Sequence, residues 1–438
     1  MSAPSTGAAV GAAGHAHGTD SRYAWMRLGV VLALMTLGSS AMYVVSVVLP
    51  AVQAEFGAGR AGASLPYTLL MVGFGVGGVL MGRLADRYGL MTVVLIGAAG
   101  LGSGYVGAGL SGNLTVFALI HGVLLGAFGS AATFAPLVAD TSLWFVRRRG
   151  IAVAVCASGN YVAGAIWPPV VQHFIGTVGW RTTFIGLGVL CAVAMPLLAL
   201  LLRRRPPAAV PAAVAAGAAT ACGAMLAASP PGPATPFGLS LNQAQVLLCI
   251  AGVACCVAMS MPQVHIVAYC SDLGYGAARG AEMLSLMLAC GIVSRLVSGA
   301  ICDRIGGLRT LLLGSVLQGV ALLLFLPFDG LASLYVVSAL FGLFQGGIVP
   351  SYAIIVREHF PAREAGERVG MVLTSTLLGM ALGGWMSGKV FDLTGSYQAA
   401  FVNGIGWNLL NGAIAAWLLW RVTRGQPAPD ALAQPRHG

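Results

Sequence analysis

The sequence predicts an all-α membrane protein of twelve transmembrane helices in two pseudo-symmetric six-helix bundles. Three observations predict it: an apolar composition almost free of charge, apolar runs of bilayer-spanning length, and loop motifs that recur in the second half of the chain. Of the 438 residues, 58% are hydrophobic and 8% charged, and the mean hydropathy is +0.86. Charged side chains are therefore too scarce to cover a water-soluble body of this size, and lipid must solvate most of the chain. Hydrocarbon offers no partner to an open backbone N–H or C=O, which leaves helices and closed barrels as spanning structures. A barrel strand would alternate polar and apolar residues and be about half as long as these continuous runs.

Residues 1–22 are rich in Ala, Gly and Ser and read as a disordered tail, in which His15 and His17 form too small a ligand set for a metal site. Apolar runs then place helices near 25–49, 65–84, 92–110, 114–139, 150–175 and 182–202. The second series falls near 245–269, 281–301, 310–327, 331–356, 369–391 and 399–422. The first run, from Trp25 to Leu49, is too long for a signal-peptide core and is followed by no small-residue cleavage pattern, so it is expected to remain as the first helix. The predicted organisation is a tail over 1–22, a bundle over 23–202, a linker over 203–244, a bundle over 245–424 and a tail over 425–438.

The segment 206–244 is apolar by letter, yet it is mostly alanine, interrupted by Pro211 and ended by Ser229-Pro230-Pro231, and alanine alone inserts poorly. Charge distribution decides its status. With this segment as a cytoplasmic linker, Arg83, Arg87, Arg147 to Arg149, Arg203 to Arg205, Arg304, Arg309, Arg357, Arg363, Arg368, Arg421 and Arg424 all fall inside, whereas Arg60, Arg181, Arg279 and Lys389 fall near the outer face. That asymmetry satisfies the positive-inside rule with both termini cytoplasmic in a cell (inner) membrane. The net charge of +10 is thus spent on topology rather than on a basic face for nucleic acid. Nine cysteines, lacking CxxC spacing and sited almost all in apolar runs, read as buried thiols.

The halves repeat one another at three landmarks in the same order. Gly82-Arg83-Leu84-Ala85-Asp86-Arg87-Tyr88-Gly89 after the second run answers Gly299-Ala300-Ile301-Cys302-Asp303-Arg304-Ile305-Gly306 after the eighth. Trp144-Phe145 with Arg147 to Gly150 answers His359-Phe360 with Arg363 to Gly366, and Gly179-Trp180-Arg181 answers Gly395-Ser396-Tyr397.

The paired Gly-x-x-x-Asp-Arg-x-Gly loops resemble the signature of the major facilitator superfamily. The resemblance implies two rocking bundles and a conformational latch at the cytoplasmic seam, made by Gly82, Asp86, Arg87 and Gly89 and by Gly299, Asp303, Arg304 and Gly306. These charges would make charge-assisted bonds and meet a helix end in the outward-facing form. The first copy departs from that family in Leu90 and Met91, where basic residues are usual. A narrower resemblance, carried by Trp144 to Gly150, Ala157-Ser158-Gly159, Gly179-Trp180-Arg181, Pro262, His265, Ala268-Tyr269 and Arg295, is to the monocarboxylate porter and oxalate–formate exchanger branch. It implies transport of small organic anions, with Arg295 meeting the carboxylate.

Arg295 is the one Arg or Lys that the sequence places near a helix midpoint, where a guanidinium is costly unless it faces a wet cavity or a counter-charge. A carboxylate would supply that partner in bidentate geometry; the bland alternative is a structural brace on backbone carbonyls. Further candidates for the substrate cavity are His121, Asn160, Tyr161, His265, Tyr269 and Gln345, each of which also suits a packed helix–helix hydrogen bond. The branch's acid before the arginine and its first-helix lysine fall here at Gly291 and approximately Val45, and Lys389 lies near the outer end, so a lone fixed cation favours a monoanion over a dicarboxylate. Protons or a counter-anion are the expected co-substrates, with no cofactor and no metal. No nucleophile–base pair lies at mid-membrane, which argues against an enzyme. The competing readings are an exporter of amphipathic drugs or metabolites and a transporter-like membrane sensor.

Overall fold

The computed structural model describes residues 19–204, 236–361 and 363–425. The tail with His15 and His17, most of the alanine-rich linker and the C-terminal tail lie outside the described residues. Among the described residues the chain forms twelve long helices: α1 Arg22–Phe56, α2 Arg60–Tyr88, α3 Leu90–Gly109, α4 Leu114–Trp144, α5 Arg149–Val178, α6 Trp180–Leu200, α7 Leu241–Asp272, α8 Ala277–Ile305, α9 Gly307–Leu324, α10 Leu331–His359, α11 Ala365–Thr394 and α12 Tyr397–Gly425. The first eleven are long and apolar enough to cross a membrane. Helix α12 falls below that threshold because it carries Asn403, Asn408 and Asn411. Two of these are buried and bonded inside the last six helices, Asn408 to the Ser315 carbonyl at 2.8 Å and Asn411 to Ser315 Oγ at 2.7 Å.

Most helices run several residues beyond the apolar runs that announce them, because their ends carry caps and charges suited to the interface rather than to hydrocarbon. Ser240 and Gln243, for example, form a capping box at the start of α7. Helix α1 is broken at Ser39, whose N–H bonds back to Met35. Within α4, His121–Ser130 is wound as a π-helix, where Gly122 and Gly126 lie against the backbone of α2 at Leu69 and Leu70 and Gly129 lies against the Leu101 side chain of α3.

The repeated glycines have a conformational reason. Gly89 and Gly306 take φ of 86° and 82°, and each is the single residue between two successive helices, so the chain reverses in a step that a side chain would strain. At the next echo, Arg181 donates to the carbonyls of Gly109 and Ser111 at 2.8 Å and to Glu55, while Trp180 Nε1 donates to Glu55 at 2.6 Å, tying the ends of α1, α3 and α6 together.

An even number of antiparallel helices puts both ends of the helical chain on one face, here termed the terminal face; the opposite one is the distal face. The first six and the last six helices meet chiefly along two seams, α2 with α11 and α5 with α8, with a smaller contact between α1 and α7.

Candidate functional site

The seams are closed from the distal face to mid-depth and part below it. On the α2–α11 seam, Asp392 accepts the backbone N–H groups of Arg60 at 2.7 Å and Ala61 at 2.9 Å, and the Arg60 guanidinium bonds Asp272 of α7. Deeper, Tyr67 lies against Gly384 and Thr68 Oγ1 donates to the Ala381 carbonyl at 3.0 Å. Toward the terminal face contact ceases: no atom lies within 4 Å of where a Cβ at Gly78 or Gly82 would stand. The α5–α8 seam follows the same course, with Ser285 Oγ donating to the Ala165 carbonyl and Leu288 against Gly164, then a cleft.

That cleft encloses about 700 Å³ of non-protein space, part of it open to solvent. Its walls include Val153 and Ala157 of α5, Arg295, Gly299 and Asp303 of α8, and Pro350 of α10. Arg295 stands at its deep end. Nη1 donates to the Ala157 carbonyl at 3.1 Å, the guanidinium carbon lies 4.8 Å from the centre of the Tyr161 ring, and Nε is buried without an acceptor. Among the described residues no carboxylate forms an ion pair with the guanidinium. The Tyr161 ring fills the space beside Gly291: a Cβ there would fall 2.5 Å from Tyr161 Cε1. A cation on an aromatic face, half-buried and short of acceptors, is a receptor for an anion that brings its own oxygens. Asp303 lies two helical turns nearer the terminal face, about 12 Å along the axis, and gives the mouth a negative wall.

The other sequence candidates divide by location. Asn160 neighbours Tyr161 on α5 and accepts from Tyr43 Oη at 2.9 Å. Gln345 of α10 accepts from Gln263 Nε2 at 2.9 Å and is sealed from solvent, its Nε2 unpartnered. His121 is sealed within the first six helices, where Nδ1 meets the Phe117 carbonyl at 2.8 Å and its ring packs on Phe117 and Phe184. His265 and Tyr269 stand toward the distal face. His265 Nε2 donates to the Gly384 carbonyl at 2.8 Å, Nδ1 accepts from Tyr397 Oη at 3.3 Å, and Tyr269 packs edge-on against Tyr397. The structure therefore sets Tyr161 against Arg295 at the deep end of the cleft, leaves Asn160 bonded to Tyr43, and holds the two histidines away from it.

The latch residues stand apart. Asp86, Arg87 and Gly89, like Asp303 and Arg304, are exposed on the terminal face, and none of the aspartates or arginines among them enters an ion pair with another described residue.

Sequence reasoning missed two charge sets. Arg27 of α1 and Asp140 of α4 form a buried pair at 2.9 and 3.0 Å, with Arg27 also bonded to the Leu202 carbonyl and lying over Trp144. An acid at the very end of the fourth apolar run was the available signal, but 113 residues separate it from its partner. The second set is Arg60, Asp272 and Asp392, scattered at three helix ends with nothing in the sequence to join them.

Comparison with known proteins gives one family and several relatives. The family model described as Major Facilitator Superfamily matches residues 29–331 and 248–437. The chain is 28% identical over 350 residues to monocarboxylate transporter 13 of Rattus norvegicus, covering 78% of this chain and 75% of that protein. It is 27% identical to monocarboxylate transporter 11 of Homo sapiens, covering 73% and 66%. It is 22% identical to the agnestins efflux protein of Paecilomyces divaricatus, covering 74% and 71%. Among solved structures, a mutant of the nucleoside transporter NupG aligns with a TM-score of 0.69 at 14% identity, covering 88% of this chain and 99% of that one. A bacterial homologue of the human lysosomal transporter Spinster, inward-facing and occupied, aligns at 0.66 and 14%, covering 94% and 100%. Both likenesses are of fold.

Proposed function

Because the chain belongs to the Major Facilitator Superfamily, we propose that it is a secondary transporter of small organic monocarboxylate anions, working across the cell membrane by alternating access with both termini cytoplasmic. The two bundles, 23–202 and 245–424, rock about the seams, and the substrate carboxylate docks on Arg295. One observation carries this reading: a guanidinium at the head of a cleft between the halves, lying on the Tyr161 ring with Nε buried and unpartnered. Similarity to proteins named monocarboxylate transporters supports the carboxylate. The apolar walls of Val153, Ala157 and Pro350 suit the hydrocarbon body of such an acid.

With the terminal face open, the present form is inward-facing, and the exposed Asp86, Arg87, Asp303 and Arg304 are the parts of a cytoplasmic latch that closes when the transporter faces outward. The co-substrate is a proton or a counter-anion.

The experiment is uptake by proteoliposomes over a panel of labelled monocarboxylates. The expected result is uptake by the wild type and a loss of about tenfold to a hundredfold in kcat/KM for Arg295→Ala and Arg295→Lys, the scale of a charge-assisted bond pair. Unchanged rate and affinity in both variants would remove the docking role of Arg295 and favour an exporter of amphipathic compounds. Binding without counterflow would favour a sensor.

A further inference from the structure

We propose that α11 ends in a third copy of the latch motif, turned to the opposite face of the membrane, and that this copy is the lock that holds the present form. The inference rests on the alternating-access reading above. The sequence that closes α11, Gly388-Lys389-Val390-Phe391-Asp392-Leu393-Thr394-Gly395, matches Gly82-Arg83-Leu84-Ala85-Asp86-Arg87-Tyr88-Gly89 at four points, with Leu393 in place of Arg87: glycine, base, aspartate three residues on from the base, and a closing glycine three residues after that. The closing glycines share a function, since Gly89 and Gly395 both take positive φ (86° and 68°) at the C-terminal end of their helix. Helices α2 and α11 lie against one another, so each presents its own motif to the first turn of the other, at opposite faces.

Only the α11 copy is engaged. Gly388 lets α11 approach so closely that a Cβ would stand 2.7 Å from the Arg60 carbonyl carbon, and Asp392 caps the start of α2 through the N–H groups of Arg60 and Ala61. Gly59 completes the fit, for a Cβ there would stand 2.7 Å from Asp392 Oδ2. A carboxylate at a helix N-terminus gains from both the open N–H groups and the helix dipole. Arg60, nearly buried, adds a second bond across the seam through Asp272 and lies over the rings of Phe391 and Tyr397. Behind it, His265 joins α7, α11 and α12 through Gly384 and Tyr397. At the other end of α2, Gly82 faces nothing and Asp86 is exposed. The two copies are reciprocal: closing one face caps one helix start and uncaps the other. In the alternate form Gly82 packs on the first turn of α11 and Asp86 caps it, while Asp392 leaves Arg60.

The test is spin-label distance measurement on the full chain in lipid nanodiscs. One label pair sits on exposed distal loops (Gly112→Cys with Asp329→Cys) and one on exposed terminal-face loops (Val146→Cys with Arg363→Cys). Gly388→Leu, and the volume-conserving Asp392→Asn, are expected to raise the distal-open population about tenfold while shortening the terminal-face distance. Gly82→Leu, which has room in the present form, is expected to abolish that population. A wild type that samples two distances while all three variants match it would overturn the reciprocal latch and leave transport standing. One fixed distance in every chain would overturn alternating access itself.

Discussion

At Arg295 the electrostatics are unusual because a half-buried guanidinium lines the cleft and makes no ion pair among the described residues. One N–H reaches the Ala157 carbonyl, the guanidinium lies on the Tyr161 ring, Nε is buried without an acceptor, and the side chain lines the cleft. Sequence alone could single this residue out, since an arginine inside an apolar run demands a partner and none was in view. It could not sort the polar candidates around it. His121 and His265 sit in apolar runs much as Asn160 and Tyr161 do, and whether a helix face meets a cavity or another helix is decided by packing that no periodicity encodes. Asp20 was missed altogether, although it shapes the terminal face. Its carboxylate accepts the backbone N–H groups of Val146 and Arg147 at 3.1 and 3.0 Å and of Arg148 at 3.3 Å, holding the α4–α5 loop. Burial raises the Asp20 carboxyl, but the bonds from Arg147, Val146 and Arg148, with the Arg147 charge, outweigh it and leave the group below its ordinary value. A depressed folded value means the contribution is complete above the ordinary carboxylate range and is lost as pH falls through the lowered one. The melting temperature of the wild type should therefore exceed that of Asp20→Asn at pH 7, and the gap should shrink as pH falls from about 5 through the carboxylate range.

At the scale of helices, spanning length and the glycine punctuation were legible because lipid thickness and φ constraints act locally. The ends were less so, since caps and interfacial charges extend helices past their apolar cores, and α12 is buried through asparagines that lower its hydropathy. What binds helices to one another was not legible at all. The Arg27–Asp140 pair joins α1 to α4 in a site where the side chains are 3% and 9% exposed. Asp140→Asn leaves Arg27 without its counter-charge and should cost about 3–5 kcal/mol, whereas Arg27→Met combined with Asp140→Leu should cost far less. Denaturation of the three chains in one detergent, scored against wild type, checks both. Equal losses in the single and the double variant would show that the pair contributes by shape and not by charge.

For the molecule as a whole, function follows from how two similar bundles share seams. The chain closes one face with Asp392, Arg60 and Asp272 and leaves the other parted around Arg295. Repeats in the sequence announced the two bundles. The face that closes was not announced, because the partners in that contact lie at the ends of α2, α7 and α11. Substrate recognition depends on Arg295 meeting negative charge. The most direct test is equilibrium binding of the acid selected by the uptake panel, and of its neutral amide, to purified wild type and to Arg295→Ala. Wild type is expected to bind the acid and to discriminate against the amide by at least about tenfold, and Arg295→Ala to lose this discrimination. Equal binding of acid and amide by wild type, or undiminished preference for the acid in Arg295→Ala, would contradict it.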